Sequence, residues 1–294
     1  MEAGRGRSSV DVDWLYAFHI MKAAFVSVFC LSLAMCAGGL AQQSSPSTPL
    51  PHHPRFGEPD PYDFDDHAGF VSIFDGKTLK DWDGDPTVWH VEDGAIIGRA
   101  SADHPIPNTY ISYHGATAHD FDLKLEVKVE EGGGTGVQYR SSVDTPWMSK
   151  PRAGTTLPPV AWLMTGPQAD FWFPVNAVHQ QYSGQFYSEN TPLGILAWRG
   201  QVNEAEPDGS PRLVGTIGDR AALGGYVVVN GWNQYEIIAR GGVLMHILNG
   251  RLMAVYIDDN SASSNNNRSG LIGIELEGAP TKISVRNVWL HKLN

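Results

Sequence analysis

The chain has 294 residues, with 21 Lys plus Arg against 32 Asp plus Glu, a net charge of −11. That balance argues against a phosphate-tracking basic surface, so neither nucleic acid nor an anionic membrane is the expected partner. With 42% hydrophobic and 18% charged residues the chain can build a core, and 32 glycines, 19 prolines and a rich aromatic content point to many short strands joined by turns.

In chain order, the first feature is the stretch Met21 to Ala41, which holds both cysteines, Cys30 and Cys36. Lys22, an apolar run from Ala23 to Leu33 and the small-x-small Gly39-Leu40-Ala41 read as a signal peptide, with residues 1–20 as an N-terminal extension. An uncleaved anchor and a lipoprotein at Cys36 are the alternatives. Cleavage after Ala41 predicts an exported, periplasmic or extracellular protein with no cysteine and no membrane-spanning domain. Residues 42–68 read as a linker, because six prolines interrupt any ladder or helix there. Asp63, Asp65, Asp66 and His67 are read as part of that solvated linker.

The globular part is expected over residues 69–294 as a single all-β domain. Phe121, Leu123, Leu125, Val127 and Val129 alternate with charged residues, which predicts a half-buried strand. Asp93-Gly94 and Asn249-Gly250 each stand between strand-like runs and predict two-residue hairpins, since a type I′ turn needs positive φ at both centres. The last strand is expected over Lys282 to Leu290. Turn signals about every ten residues favour a two-sheet sandwich.

Several chemistries are excluded by missing motifs: no G-x-S-x-G, H-E-x-x-H, G-x-x-x-x-G-K-[ST] or C-x-x-C occurs. The run Asp81 to Glu92 has the length of a calcium loop, but Pro86 stands where the loop needs glycine. More informative is the central segment. Gln138 and Arg140 are expected on one face of a strand, and Gln168, Asp170 and Trp172 on one face of the next. Tyr182 to Tyr187, Glu189, Trp198 and Arg199 follow. Amides, carboxylates and arginine among aromatics are the mix that binds sugar hydroxyls and ring faces. His246 alternates with Leu244 and Leu248 and reads as a core or cleft-wall histidine.

The chain resembles the 3-keto-disaccharide hydrolase domain family. The resemblance rests on Gly69 to Leu79 followed by Trp82, on Trp89 to Gly98, and on Gly136-Val137-Gln138-Tyr139-Arg140-Ser141. It continues through Gln168-Ala169-Asp170, Gly184 to Tyr187, Trp232-Asn233, Leu248-Asn249-Gly250 and Arg286-Asn287-Val288. It implies an all-β, two-sheet jelly-roll sandwich of the concanavalin A-like lectin/glucanase type, and bacterial glycan metabolism. Three departures stand out: a proline-rich insertion over residues 144–163, Pro167 before Gln168, and Glu275 and Glu277 where relatives resemble Gln-x-His.

The implied substrate is an oxidised carbohydrate, a 3-keto-glycoside or 3-keto-disaccharide. Its keto group acidifies the C2 hydrogen, so a base can open an elimination route that water then completes as net hydrolysis. Asp170 or Glu277 is expected as base, with Arg140 or a bound divalent cation at the enolate oxygen. Gln138, Gln168, Tyr187, Glu189, Trp198, Arg199 and His246 are expected to contact the sugar. The alternative is a non-catalytic, lectin-like glycan-binding module on the same fold; an ordinary endo-glucanase is the third reading.

Overall fold

The structure is a computed structural model that describes residues 60–143, 162–173, 182–260, 269–278 and 280–293. The expected signal peptide, the first part of the linker and nearly all of the 144–163 insertion lie outside the described residues.

The described strands in chain order are β1 (Val71–Ser72), β2 (Trp82–Gly84), β3 (Trp89–Glu92), β4 (Ala95–Ala100), β5 (Thr109–Ala118) and β6 (Phe121–Glu130). There follow β7 (Gly134–Val143), β8 (Met164–Trp172), β9 (Phe186–Glu189), β10 (Gly194–Ala197), β11 (Gln201–Ala205) and β12 (Pro211–Thr216). After the one-turn helix α1 (Arg220–Gly224) come β13 (Asn233–Arg240), β14 (Val243–Leu248), β15 (Arg251–Ile257), β16 (Gly270–Leu276) and β17 (Thr281–Lys292). They form two sheets, a jelly-roll sandwich of the concanavalin A-like type. The larger runs β12-β11-β15-β14-β13-β6-β17-β4-β3, with β1 beside β17, and the smaller runs β10-β9-β8-β7-β16-β5-β2.

The pattern of β6 shows why the sheets pack. Phe121, Leu123, Leu125, Val127 and Val129 are all nearly inaccessible, and each buried side chain of this size contributes roughly 1.5–3 kcal/mol. They meet Val137, Tyr139, Ala169, Phe171, Phe186, Ile272, Ile274 and Leu276 from the smaller sheet. Both expected hairpins are present: Asp93 and Gly94 have φ of 49° and 76°, Asn249 and Gly250 of 50° and 72°, the signs that a type I′ turn requires.

Residues 60–68, expected in the linker, pack on the larger sheet. Phe64 is buried, the Tyr62 hydroxyl donates to Glu236 Oε2 at 2.6 Å, and His67 stacks on Trp289 at 4.3 Å. Lys124, on the face of β6 expected to be wet, is buried beneath this strap. Its Nζ donates to the Asp66 carbonyl at 2.9 Å and lies 4.8 Å from the centre of the Phe70 ring.

Candidate active site

The cleft begins with what β7 lacks. Gly134 lies opposite Trp172, Gly136 opposite Asp170 and Gln138 opposite Gln168 across the β7–β8 ladder. With no side chain at 134 or 136, the β8 side chains fold down over β7. A Cβ on Gly134 would come within 2.5 Å of the Trp172 indole, and one on Gly136 would overlap the Gln168 amide. Alternation along β8 sends Ala169 and Phe171 into the core and Gln168, Asp170 and Trp172 to the opposite face. The result is a cleft of about 300 Å³ on the outer face of the smaller sheet, lined by those three residues with Asn108, Tyr182, Gln185, Tyr187, Glu189, Ile195 and Glu277.

A directed hydrogen-bond chain forms its floor. Ser141 Oγ donates to Gln138 Oε1 at 2.8 Å, Gln138 Nε2 donates to Gln168 Oε1, and Gln168 Nε2 donates to Glu275 Oε2 at 2.6 Å. The other Glu275 oxygen accepts from the Tyr110 hydroxyl at 2.8 Å and from Asn108 Nδ2 at 2.9 Å. Beside this chain, Gln185 Nε2 donates to Asp170 Oδ2 at 2.6 Å, which leaves Gln185 Oε1 as a buried acceptor with no partner among the described residues.

The site is acidic. Burial raises the carboxyl of Asp170 well above the ordinary range; the Gln185 hydrogen bond opposes this, and the charges of Glu277 and Glu189 add to it. Burial likewise raises Glu275, reinforced by Glu189 and Glu277. Carboxyl groups so placed hold protons that isolated ones would lose. Burial and the same carboxylates push the Tyr187 phenol up to about 12, so it stays a donor at neutral pH. The acids do not converge as a ligand shell: among the described residues no three His, Cys, Asp or Glu side chains are placed to hold a metal ion.

Gln168, Asp170, Tyr187, Glu189 and Glu277 thus meet in one cleft, with Gln138 behind them. Arg140 does not. A bulge in β7 shifts the register between Gln138 and Ser142, and Arg140 has φ of 47°, so it leaves the face of Gln138. Its guanidinium ties β7 to the β5–β6 connection and to the β13–β14 turn. Nε donates to the His119 carbonyl at 2.7 Å, Nη1 to the Gly241 carbonyl at 2.9 Å and Nη2 to Asp120 Oδ1 at 2.9 Å. It is a fastener rather than an enolate-binding group.

Arg199 is buried as well, donating to the Arg220 and Ser183 carbonyls, and does not line the cleft. Trp198 stands just outside, stacked on Tyr182 at 6.0 Å. His246 belongs to the core, against Phe186 at 3.5 Å. Its Nδ1 lies 3.1 Å from the Gln185 carbonyl, which can only accept, so Nδ1 carries the proton and Nε2 accepts from the Tyr139 hydroxyl at 2.9 Å. Burial pushes its pKa down to about 3, so the ring is neutral. It lines no part of the cleft and is joined to it through the Gln185 carbonyl.

Sequence reasoning did not single out Asn108 or Tyr110. Tyr110 pairs with Glu275 across the β5–β16 ladder, about 165 positions away, and nothing in the local pattern of β5 marks that partner.

The fold and cleft define a β-sandwich with a recessed, acidic, amide- and aromatic-lined groove of the kind that receives a carbohydrate. The match to known families agrees: residues 69–291 match the 3-keto-alpha-glucoside-1,2-lyase-like domain, and the chain belongs to that carbohydrate-processing family. A curated 3-keto-disaccharide hydrolase from Bacteroides thetaiotaomicron is 35% identical over 83 residues, which is 25% of this chain and 28% of that relative's length. Among solved structures, a Parabacteroides distasonis protein provisionally classed as a glycosyl hydrolase superposes with a TM-score of 0.48 at 17% identity, covering 76% of this chain and 99% of that one. A carbohydrate-binding module from Bacillus subtilis superposes with a TM-score of 0.43 at 15% identity, covering 72% and 96%.

Proposed function

We propose that this protein cleaves 3-keto-glycosides by elimination followed by hydration. The observation that carries the reading is Asp170, a buried carboxyl that lines the cleft beside Glu277 and Glu189 and is gripped on one oxygen by Gln185. In this reading Asp170 takes the C2 proton, and the C–H electron pair forms the enolate across C2 and C3. Tyr187, protonated at neutral pH, donates to the enolate oxygen in the role the sequence assigned to Arg140. The enolate re-forms its ketone, C1=C2 forms, and the C1–O bond breaks as Glu277 protonates the departing oxygen. Water then adds at C1 and the proton returns to C2, which gives net hydrolysis. Gln168, which lines the cleft, holds a substrate hydroxyl. The chemistry needs one base and one donor at the oxyanion, not the paired carboxylates at fixed separation of an ordinary glycosidase. The sequence pattern at residues 21–41 adds the proposal that the protein is exported; N-terminal sequencing of secreted material tests it by returning a residue near Gln42.

Turnover of a 3-keto-disaccharide and its unoxidised parent side by side in D2O tests the mechanism. The reading expects cleavage of the oxidised sugar alone, with deuterium at C2 of the product gained at the rate of cleavage. Cleavage with C2 still protiated counts against elimination. Retention of the glycan without turnover favours the lectin-like module.

A further inference from the structure

We propose that Glu275 is a positioning residue: reaching over Gly136, it fixes which way the Gln168 amide points and so holds an N–H of that amide against the Asp170 carboxyl. This rests on the functional reading above, in which Asp170 is the base, and adds what sets the state of that base.

Three strands bring the two acids into one row. Across β16 and β7, Ile274 lies opposite Val137 and Glu277 opposite Gly134, so Glu275 stands opposite Gly136. Across β7 and β8, Gly136 lies opposite Asp170. Glu275, Gly136 and Asp170 therefore share a row with no side chain at its middle. The Gln168 amide fills that gap: a Cβ on Gly136 would fall 1.8 Å from its Nε2. From there Nε2 donates to Glu275 Oε2 at 2.6 Å, and Gln168 joins Gln185 as one of two amides whose hydrogen bonds favour the ionised form of Asp170. One NH2 group thus lies between two buried carboxyls.

The far end of the chain does not fix the direction of the amide. Gln168 Oε1 accepts from Gln138 Nε2, and Gln138 Oε1 accepts from Ser141 Oγ. A hydroxyl donates and accepts equally well, and the Tyr139 carbonyl, 3.0 Å from Ser141 Oγ, offers its proton a second target. Both amides could turn over together and the chain would still close, with Gln168 Oε1 then set against Asp170. Glu275 removes that freedom. Tyr110 and Asn108 donate to its Oε1 and Gln168 to its Oε2. Three donors on two oxygens hold the group as an acceptor toward Gln168, whose carbonyl turned that way would set oxygen against oxygen. Glu275 is fully buried and does not line the cleft, so it acts through Gln168 rather than on substrate. The other ionisable groups facing the two acids are Glu277 on β16, Glu189 and Tyr187 on β9, Tyr110 on β5, and, from the core, Tyr139 and Tyr235. All are acids, so support for an ionised Asp170 falls to the amides of Gln168 and Gln185.

The rival is that Glu275 is only one more buried acid beside Asp170. Its removal would then lower the pKa of Asp170 or leave it unmoved, because a neighbouring negative charge is lost. The two readings predict shifts of opposite sign in Glu275→Gln. Tyr110 and Asn108 both claim the one oxygen that remains, the new NH2 faces Gln168, and the amide chain turns over. Carbon NMR of the full-length protein, isotope-labelled at the aspartate carboxyls, follows the titration of Asp170, whose signal is the one missing from Asp170→Asn. The proposal expects Asp170 in Glu275→Gln to titrate about one pH unit higher than in the wild type, the scale of one hydrogen bond to a charged group. Gly136→Ala keeps both acids but displaces the amide, and should raise Asp170 as well. An unmoved or lower titration in either folded variant overturns the proposal. Where a melting curve shows that a variant does not fold, neutron diffraction from the deuterium-exchanged wild type decides. Deuterons on Gln168 Nε2 directed at Glu275 and Asp170 uphold the proposal, and an amide turned the other way overturns it. If Asp170 rises in both variants while the acidic limb of kcat/KM stays put, or no keto-sugar is cleaved, Glu275 keeps its positioning role and the catalytic reading of Asp170 falls.

Discussion

Gln185 Nε2 donates to Asp170 Oδ2 at 2.6 Å, and the backbone carbonyl of the same Gln185 accepts from His246 in the core. A core histidine and a cleft carboxyl are thereby coupled through one residue. The amide stabilises the ionised form of a carboxyl that burial otherwise holds protonated, so the base strength of the site depends on this contact.

Gln185→Met keeps the length of the side chain and removes the donor. Asp170 should then ionise at higher pH, and the acidic limb of the pH profile of kcat/KM should move upward while the basic limb stays. An unmoved acidic limb would mean that Asp170 is not the titrating base.

Asp170→Asn should lower kcat on a 3-keto-disaccharide by about 10²–10⁴, the usual value of a positioned base, and should preserve binding because the amide keeps the shape. The melting temperature should hold or rise, since a buried acid that burial disfavours is removed. A near wild-type kcat passes the role of base to Glu277.

Arg140→Ala should destabilise by about 3 kcal/mol or more, because it strands the carbonyls of His119 and Gly241 and takes the guanidinium from Asp120, which keeps only the Gly241 N–H and His119. Measured well below its melting temperature, the variant should keep KM and kcat within about twofold. Loss of activity at unchanged stability would return Arg140 to the site.

His246 is neutral when folded, with its pKa pushed down to about 3 from an ordinary 6.5. Between those values the unfolded chain binds a proton that the folded one does not, so the histidine's contribution is present above pH 6.5 and is lost as pH falls toward 3. Denaturant titrations of the wild type and His246→Gln across that window should show a smaller acid loss in the variant. Parallel curves would refute a buried neutral imidazole.

A chain beginning at Gly69 loses Tyr62, Phe64 and His67 from the outer face of the larger sheet and uncovers Lys124. It should melt lower than one beginning at Asp60. Equal melting temperatures would mean the strap contributes nothing to stability.

Sequence by itself determined the class of fold, because strand alternation and turn chemistry are local. The spacing of Phe121 to Val129 dictates which face of β6 is buried, and Asp93-Gly94 and Asn249-Gly250 dictate their turns through the φ values only such residues adopt readily. Gln168, Asp170 and Trp172 were legible as one face for the same reason. Only the tertiary structure decided which polar residues meet. Arg140 shares a strand with Gln138, yet a single bulge turns it to the other side, and a bulge leaves no period in the sequence to betray it. His246, Arg199 and Tyr110 take their roles from partners in distant strands. Their burial depends on what the opposite sheet places over them, which no local pattern encodes.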